Sequence, residues 1–519
     1  MELEPTIFLG PPGTGKTTTL LDTVNKEMVD GVPPDRIGFM TFTKRGVEEA
    51  ISRASDRFQL PRTRFRYFNT LHSAAFRQLG LSSDQVLTGK RLVEFGAAHQ
   101  LTFFGGLSSD DGTYSSFWGD DLILFLENYS RITRTPLEQV INEHDFALPD
   151  YDRAWRVIKA FRYYKQEQGL FDFTDMIDEF IKQNDPPRLE VLIIDESQDL
   201  SIMQWEMVQQ LSRYAKRIYV AGDDDQTIFT WAGASEHFIH MKGSVQQLQQ
   251  SYRVPAKIHR LANRIISKIR NRRSKLWNPR DSDGSHGTLI GISELDPGKL
   301  DPALGSVMML GRTTKLLKQK YISYCRFHGL PYRHFENNSI KPTEAYAIDA
   351  WKQLQEGVAI PADAAVRIYN LLPSEGHKKK KGLVKMGYKV QLNRIADQPE
   401  PPKLTLQELR NDYGLLAEGT WKEIFTEIKP EDVQYIQKVM DNGFNILDKP
   451  NIHISTIHRV KGGEADTVVL LSDTIKGLER IASGTQDEET RIFYTAVTRT
   501  RENLIVVHPG KKYFFEGLF

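Results

Sequence analysis

The sequence predicts an α/β protein with two parallel-sheet domains, each interrupted by a mostly helical insertion. Three observations predict it. A glycine-rich loop at Gly10 joins a short apolar strand to a helix. Further short apolar runs end in acidic or polar residues, as at 190–196 and 219–226. Short strands then alternate with amphipathic helices in two separate stretches of chain, the pattern of a largely parallel sheet. At roughly 150 residues per domain, the 519 residues allow three or four domains.

Composition narrows the class. Lys plus Arg is 68 and Asp plus Glu is 67, a formal net charge of +1, which excludes a highly charged tail-like protein but not a local basic groove. The single cysteine, Cys325, excludes an intramolecular disulfide framework and a cysteine zinc site. The first residues lack a signal-like pattern, and no run approaches 18 apolar residues. A cytoplasmic protein without membrane partners is expected.

Thr6–Leu9 reads as the first strand and Thr18–Met28 as the first helix. Between them Gly10-Pro11-Pro12-Gly13-Thr14-Gly15-Lys16-Thr17 is a complete phosphate-binding loop in its strand–loop–helix setting. Its backbone N–H groups and the helix N-terminus up to Thr18 can cradle phosphates. Lys16 is placed to reach the β and γ phosphates and Thr17 to bind Mg²⁺, so ATP and Mg²⁺ are the expected cofactors. Glu190–Ile194 reads as a buried strand carrying Asp195 and Glu196 at its end. Asp195 suits Mg²⁺, and Glu196 suits polarisation of an attacking water. Tyr219–Ala221 is a further strand, followed by Gly222-Asp223-Asp224-Asp225-Gln226, with Gln226 as a γ-phosphate sensor.

These elements belong to an ordered set. Thr41-Phe42-Thr43-Lys44 with the helix 46–54, Phe68–Ser73 (FNTLHS), Asp195–Asp199 (DESQD), Gly222–Ala234 (GDDDQTIFTWAGA), Gln250–Arg253 (QSYR), Thr456–Glu464 (TIHRVKGGE) and Arg491–Arg501 (RIFYTAVTRTR) follow the loop in order. Together they resemble the superfamily 1 DNA helicases of the UvrD/Rep/PcrA type. The resemblance implies two RecA-like P-loop motor domains. It implies that Arg253 and Arg499 clamp the γ-phosphate, that Tyr252 stacks on adenine and that Glu464 contacts the nucleotide sugar. Lys16, Asp195, Glu196, Gln226, Arg253 and Arg499 then form the catalytic set. Phe42, Thr43, Lys44, His72, Trp231 and His458 are the expected nucleic-acid contacts or couplers. Trp231 is the main stacking platform, because every base offers a π-face. Phe229 reads as core packing.

The expected organisation is a first motor at 1–79 and 188–249 with an insertion at 80–187, and a second motor at 250–335 and 452–519 with an insertion at 336–451. In the first insertion, Asp121–Tyr129, Tyr151–Gln168 and Asp172–Lys182 read as helices and Gly105–Gly112 as a loop. In the second, Thr343–Gln355 and Pro430–Asn442 read as helices. His377–Lys381 there is either a solvated loop or a phosphate contact. Val307–Leu310, Val468–Ser472 and Leu504–Val507 read as strands, and Thr314–Phe327 as a helix.

The expected function is an ATP-dependent DNA helicase moving on single-stranded DNA, 3′ to 5′ by resemblance, with a duplex junction and replication or repair proteins as partners. The alternative is a DNA-stimulated ATPase acting as a translocase or nucleotide-gated switch without strand separation. Two departures stand out. Only nine residues precede Gly10, none of them glutamine, where the family carries an adenine-recognition segment. Both insertions are also short.

Overall fold

The computed structural model describes residues 4–42, 44–103, 120–143, 151–375, 382–474, 484–510 and 513–519. The chain forms two compact units. One comprises Met1–Thr288, Gly311–Thr313 and Thr456–Phe519, and the other Leu289–Leu310 and Thr314–Ser455. The loop expected at 105–112 and the basic run 377–381 lie outside the described residues.

Six strands organise the first unit: β1 (Thr6–Leu9), β2 (Ile37–Thr41), β3 (Phe68–Thr70), β4 (Val191–Ile194), β5 (Arg217–Gly222) and β6 (Ser244–Gln247). Their order is β3-β2-β4-β5-β1-β6, and every pairing is parallel. The central strands are apolar at successive positions because both faces are covered, as parallel sheets require. Alternate residues divide between two cores. Ile7, Leu9, Met40, Leu192 and Ile194 share one with Met203 and Val208. Phe8, Phe39, Val191 and Ile193 share the other with Leu20, Leu21 and Val24 of α1 (Lys16–Val29) and Ala50 and Ala54 of α2 (Lys44–Phe58).

Helix α3 (Leu71–Gln78) starts where the Thr70 hydroxyl accepts the Ser73 N–H, a threonine N-cap. Beyond it α4 (Gly89–His99), α5 (Asp120–Ile132), α6 (Leu137–Glu143) and α7 (Tyr151–Glu167) build a separate core around Leu92, Phe95, Leu124, Ile158 and Phe161. Helix α8 (Phe173–Gln183) instead packs Met176, Ile177 and Phe180 into the sheet's core. Its N-terminus carries a capping box in which Asp172 and Asp175 bond each other's backbone N–H. The same carboxylates receive Arg131 of α5 and Lys165 of α7, the latter with only 6% of its side chain exposed. One charge cluster therefore ties the small helical core to α8.

The rest of this unit contains β7 (Gln250–Pro255) paired in parallel with β8 (Asn278–Arg280). The helix Ala256–Ile266 follows β7. Strands Ala465–Leu471 and Thr500–His508 pair in parallel, with a register shift between Ala465 and Thr467. Helix Gly484–Val497 precedes Arg499.

In the second unit, Tyr332–His334 pairs in parallel with Ile452–Ile454 and antiparallel with Asn337–Asn338. The helix expected over 314–327 is Thr314–Leu317, a π turn at Lys318–Ile322 and Ser323–His328, ending at Gly329 with φ +63°. Helices Pro342–Gln355, Ala362–Leu371, Tyr388–Ala396 and Pro430–Asp441 follow. Trp351 is fully buried, and its indole N–H donates to the Gly419 carbonyl at 3.1 Å.

Burial works against ionisation of Asp172, but Lys165 and Arg131 outweigh it and hold the group down at about 2. A carboxylate held below its unfolded value stabilises the fold above that value and loses the contribution as pH falls towards the folded one. We expect Asp172→Asn to be less stable than the parent at pH 7. The difference should shrink as pH falls from about 4 towards 2. Chemical denaturation at stepped pH checks this, and a gap independent of pH would contradict it.

Candidate active site

Strands β4, β5 and β1 lie side by side, so their C-terminal ends bring Asp195, Asp223 and Gly10 to one sheet edge, the edge at which parallel α/β sheets bind ligands. The Gly10 N–H donates to the Gly222 carbonyl at 3.1 Å, fixing the loop's departure point. A cleft of about 890 Å³ opens there, lined by the loop, Asp195, Glu196, Gln226, Tyr252, Arg253, Lys461, Glu464 and Arg499.

Glycine gives the loop its path. Gly13 and Gly15 adopt φ +72° and +81°, and Gly15 begins α1 without a side-chain cap. The first helical N–H groups are thus left for an anion. Lys16 folds back so that Nζ donates to the Gly10 carbonyl at 2.9 Å. A Cβ at Gly10 would stand 2.3 Å from Lys16 Cγ, so only glycine admits that fold-back. The loop leans on β7: Ser251 Oγ donates to the Pro12 carbonyl and the Tyr252 N–H to the Gly13 carbonyl, both at 2.8 Å. Tyr252 itself is 71% exposed, leaving its ring open to a planar group.

On the acidic wall, Thr17 Oγ1 donates to Asp195 Oδ2 at 3.0 Å. Among the described residues no cluster of three or more His, Cys, Asp or Glu side chains could cage a metal. A hydroxyl beside one carboxylate still fits Mg²⁺, a hard cation held by one or two carboxylates together with substrate phosphates. Burial and the neighbouring Glu196 charge push Asp195 up to about 6. Burial alone would raise Glu196 as well, but Lys16, Lys461 and a hydrogen bond from Gln198 at 2.6 Å hold it below the usual carboxylate range. Glu196 therefore stays ionised. Its backbone sits at φ +51°, a left-handed conformation costing a non-glycine residue about 1–3 kcal/mol.

The facing wall is cationic. Arg253 Nε donates to Glu464 Oε2 at 2.5 Å. Arg499 is buried and donates to three neutral oxygens: Thr495 O at 3.0 Å, Gly463 O at 3.2 Å and Gln226 Oε1 at 2.6 Å. Burial and the nearby Arg253 charge lower it to about 9. A guanidinium bound mainly to neutral acceptors gains more from an incoming anion than one already paired.

The structure brings the remaining site residues together unevenly. The Phe42 ring stacks on Phe229 with centroids 5.1 Å apart, and His458 lies behind Phe229 at 6.0 Å. Phe229 and His458 are both buried, and burial with the nearby Arg312 and Lys461 charges drives His458 well below its ordinary value, so it is neutral and faces the interior. Lys44 is exposed at the start of α2. His72 on α3 meets Phe173 edge-on at 5.5 Å. Trp231 lies on the short turn Thr230–Ala232. Thr43 lies outside the described residues.

Several residues in the site carried no sequence-level role. Lys461 Nζ bonds Asp199 and, at 2.6 Å, the Gln226 carbonyl. Gln198 bridges Glu196 and the Asp223 N–H. Arg53 of α2 reaches Thr18 Oγ1 at 2.7 Å on the cleft wall. The motifs TIHRVKGGE and DESQD contain the first two, and Arg53 lies in the helix 46–54 that accompanies the Thr41–Lys44 motif, so the signal was present.

Comparison with known proteins gives two family matches, to the UvrD/REP helicase N-terminal domain over residues 2–245 and to the UvrD-like helicase C-terminal domain over 422–509. The chain is 22% identical to the putative ATP-dependent DNA helicase YjcD of Bacillus subtilis, over 98% of this chain and 77% of that protein. It is 27% identical to the ATP-dependent DNA helicase PcrA of the same organism, over 60% of this chain and 44% of that protein. It is 22% identical to a probable DNA helicase II homolog of Rickettsia felis, over 99% of this chain and 91% of that protein.

Docking of the loop on β7 can be tested with two glycines of positive φ. A Cβ at Gly13 would stand 2.5 Å from Arg253 Cβ and 2.9 Å from Ser251 Oγ, whereas one at Gly31, φ +95°, meets nothing within 4 Å. Gly31→Ala should cost only the backbone penalty of about 1–2 kcal/mol. Gly13→Ala should cost clearly more, as measured by denaturant titration. Equal losses would show that the loop does not rest on β7.

Proposed function

The chain belongs to the superfamily 1 helicases of the UvrD/Rep/PcrA type, and from that premise we propose that it is an ATP-dependent DNA helicase that moves along single-stranded DNA, 3′ to 5′, and separates duplex ahead of it. The observation that carries the reading is the opposition, across one cleft, of a phosphate loop with Asp195 and Glu196 to two arginines, one of them bonding three neutral oxygens.

The chemistry follows from these residues. The loop N–H groups and Lys16 bind the β and γ phosphates. Thr17 and Asp195 would hold Mg²⁺, which would offset charge on the phosphate oxygens. Ionised Glu196 accepts the proton of the attacking water. Arg253 and Arg499 stabilise charge that develops on the transferring oxygens, the largest contribution in phosphoryl transfer. Arg253 must loosen its hold on Glu464 to do so, leaving Glu464 free to accept from the ribose hydroxyls while the exposed Tyr252 ring covers the adenine.

Coupling to DNA runs through Gln226. Its side chain bonds Arg499 and its carbonyl bonds Lys461. Three residues later Phe229 packs against Phe42, and Trp231 follows on the next turn. A change at the γ-phosphate therefore reaches the DNA-stacking segment within five residues. Phe42, Thr43, Lys44, His72 and Trp231 serve the strand directly. The buried His458 supports Phe229 from behind, so its part is that of a coupler.

Strand displacement with separately 3′-tailed and 5′-tailed DNA duplexes tests the reading. Unwinding with ATP only from the 3′ tail is expected. Lys16→Ala should lose hydrolysis and unwinding together, by at least about 100-fold. DNA-stimulated hydrolysis without strand separation would replace the helicase with a translocase or switch. Full hydrolysis by Lys16→Ala would overturn the catalytic assignment.

A further inference from the structure

Behind the cleft lies a buried cluster that the catalytic roles above leave unused. Lys275, with 1% of its side chain exposed, bonds Asp223 Oδ1 at 2.9 Å, Asp224 Oδ1 at 2.5 Å and Asp225 Oδ2 at 3.0 Å. Arg272 pairs with Asp225. The Arg273 N–H donates to Asp224 Oδ2 at 2.8 Å. A lysine this deep beside three aspartates is more than a surface ion pair.

The cluster runs into the cleft along one chain of hydrogen bonds. Asp223 Oδ1 accepts from Lys275 and from the Asp225 N–H at 3.2 Å. Asp223 Oδ2 accepts from Gln226 Nε2 at 2.7 Å. Gln226 Oε1 accepts from Arg499 Nη2 at 2.6 Å. A carboxamide has a donor end and an acceptor end, whereas a guanidinium only donates. Arg499 is satisfied only if Gln226 presents its oxygen, and Gln226 does so only if its amino group faces an acceptor. We infer that Asp223, kept an acceptor by Lys275, is a positioning residue that sets the orientation of the Gln226 amide and so aims Arg499 into the cleft.

The charge of Lys275 is what makes Asp223 a reliable acceptor. Burial alone would favour a protonated Asp223, but Lys275 and Lys16 outweigh it and hold the group below the usual carboxylate range. A protonated Asp223 could donate at Oδ2 and turn the amide round, setting Gln226 Nε2 against Arg499. The inference rests on the reading of this cleft as the site of ATP hydrolysis. It adds two residues, Asp223 and Lys275, that act on hydrolysis without touching the nucleotide.

Reversing the donors in the chain tests it. Asp223→Asn keeps size and can still accept from Lys275 and the Asp225 N–H, but then turns its own amino group towards Gln226. The Gln226 amide flips and two donors meet at Arg499. With the whole protein, ATP and single-stranded DNA, Asp223→Asn should lower kcat about 10- to 100-fold and leave KM for ATP within about threefold. Adding Gln226→Glu supplies an acceptor to both neighbours, and the double variant should recover at least about tenfold of the lost kcat. Lys275→Arg should retain more activity than Lys275→Met, with melting temperatures recorded for all variants. Wild-type kcat in Asp223→Asn would overturn the inference. So would a double variant as slow as the single one, because that outcome marks a packing role. Lys16→Ala run beside them separates the two readings. If it hydrolyses ATP at the wild-type rate, the cleft assignment itself fails. If it is inactive while Asp223→Asn is unimpaired, only the orientation inference fails.

Discussion

The parallel register of three neighbouring strands is the constraint on which this cleft depends. Leu9 pairs with Gly222 and Ile194 with Val220, so the ends of β1, β4 and β5 emerge within a residue or two of one another. Parallel strands need crossovers, and the crossovers bury both sheet faces. Only the strand ends can then carry polar chemistry, and Gly10, Asp195 and Asp223 are all found there. A one-residue slip of β4 would exchange the two cores to which Leu192 and Ile193 belong, as well as moving Asp195. Packing of the sheet and placement of the acids are thus a single specification.

Charge balance is the second theme. The acidic wall keeps Glu196 ionised through Lys16 and Lys461, while Asp195 stays poised near 6. On the cationic wall Arg253 is paired with Glu464, and Arg499 is bonded to neutral oxygens. Buried charge without full compensation is costly. On the proposed reading an arriving phosphate would supply what Arg499 lacks, so that binding and catalytic electrostatics would draw on the same deficit. The Lys275 cluster shows the opposite arrangement, in which cations and aspartates largely satisfy one another and geometry is held rather than made available.

The same logic joins the small helical core to the sheet. Helices α4 to α7 have their own apolar core, and α8 belongs to the sheet's core. Asp172 and Asp175 stand at the start of α8, where carboxylates also favour the positive end of the helix dipole. Arg131 and Lys165 approach them from α5 and α7. The junction is electrostatic and hydrogen-bonded, and it ties the small helical core to the sheet.

Much of this was legible in the sequence because short-range rules govern it. The strand–loop–helix around Lys16 and the apolar run before Asp195 follow from local propensity and spacing, and the ordered motifs identified the family. Three kinds of feature were not legible. The Thr314–Phe327 periodicity did not reveal the π turn at Lys318–Ile322. Burial of His458 behind Phe229 depends on residues more than 200 positions away. The pairing of Lys275 with Asp223 spans 52 residues, and Lys275 itself lies in no motif. The sequence by itself determined which chemical groups this protein owns and which strand ends would carry them, because alternation and turn chemistry are local. Only the tertiary structure decided which of those groups face one another, which are desolvated and which way round the Gln226 amide lies. Those properties come from long-range packing, where burial multiplies the strength of every charge and hydrogen bond it encloses.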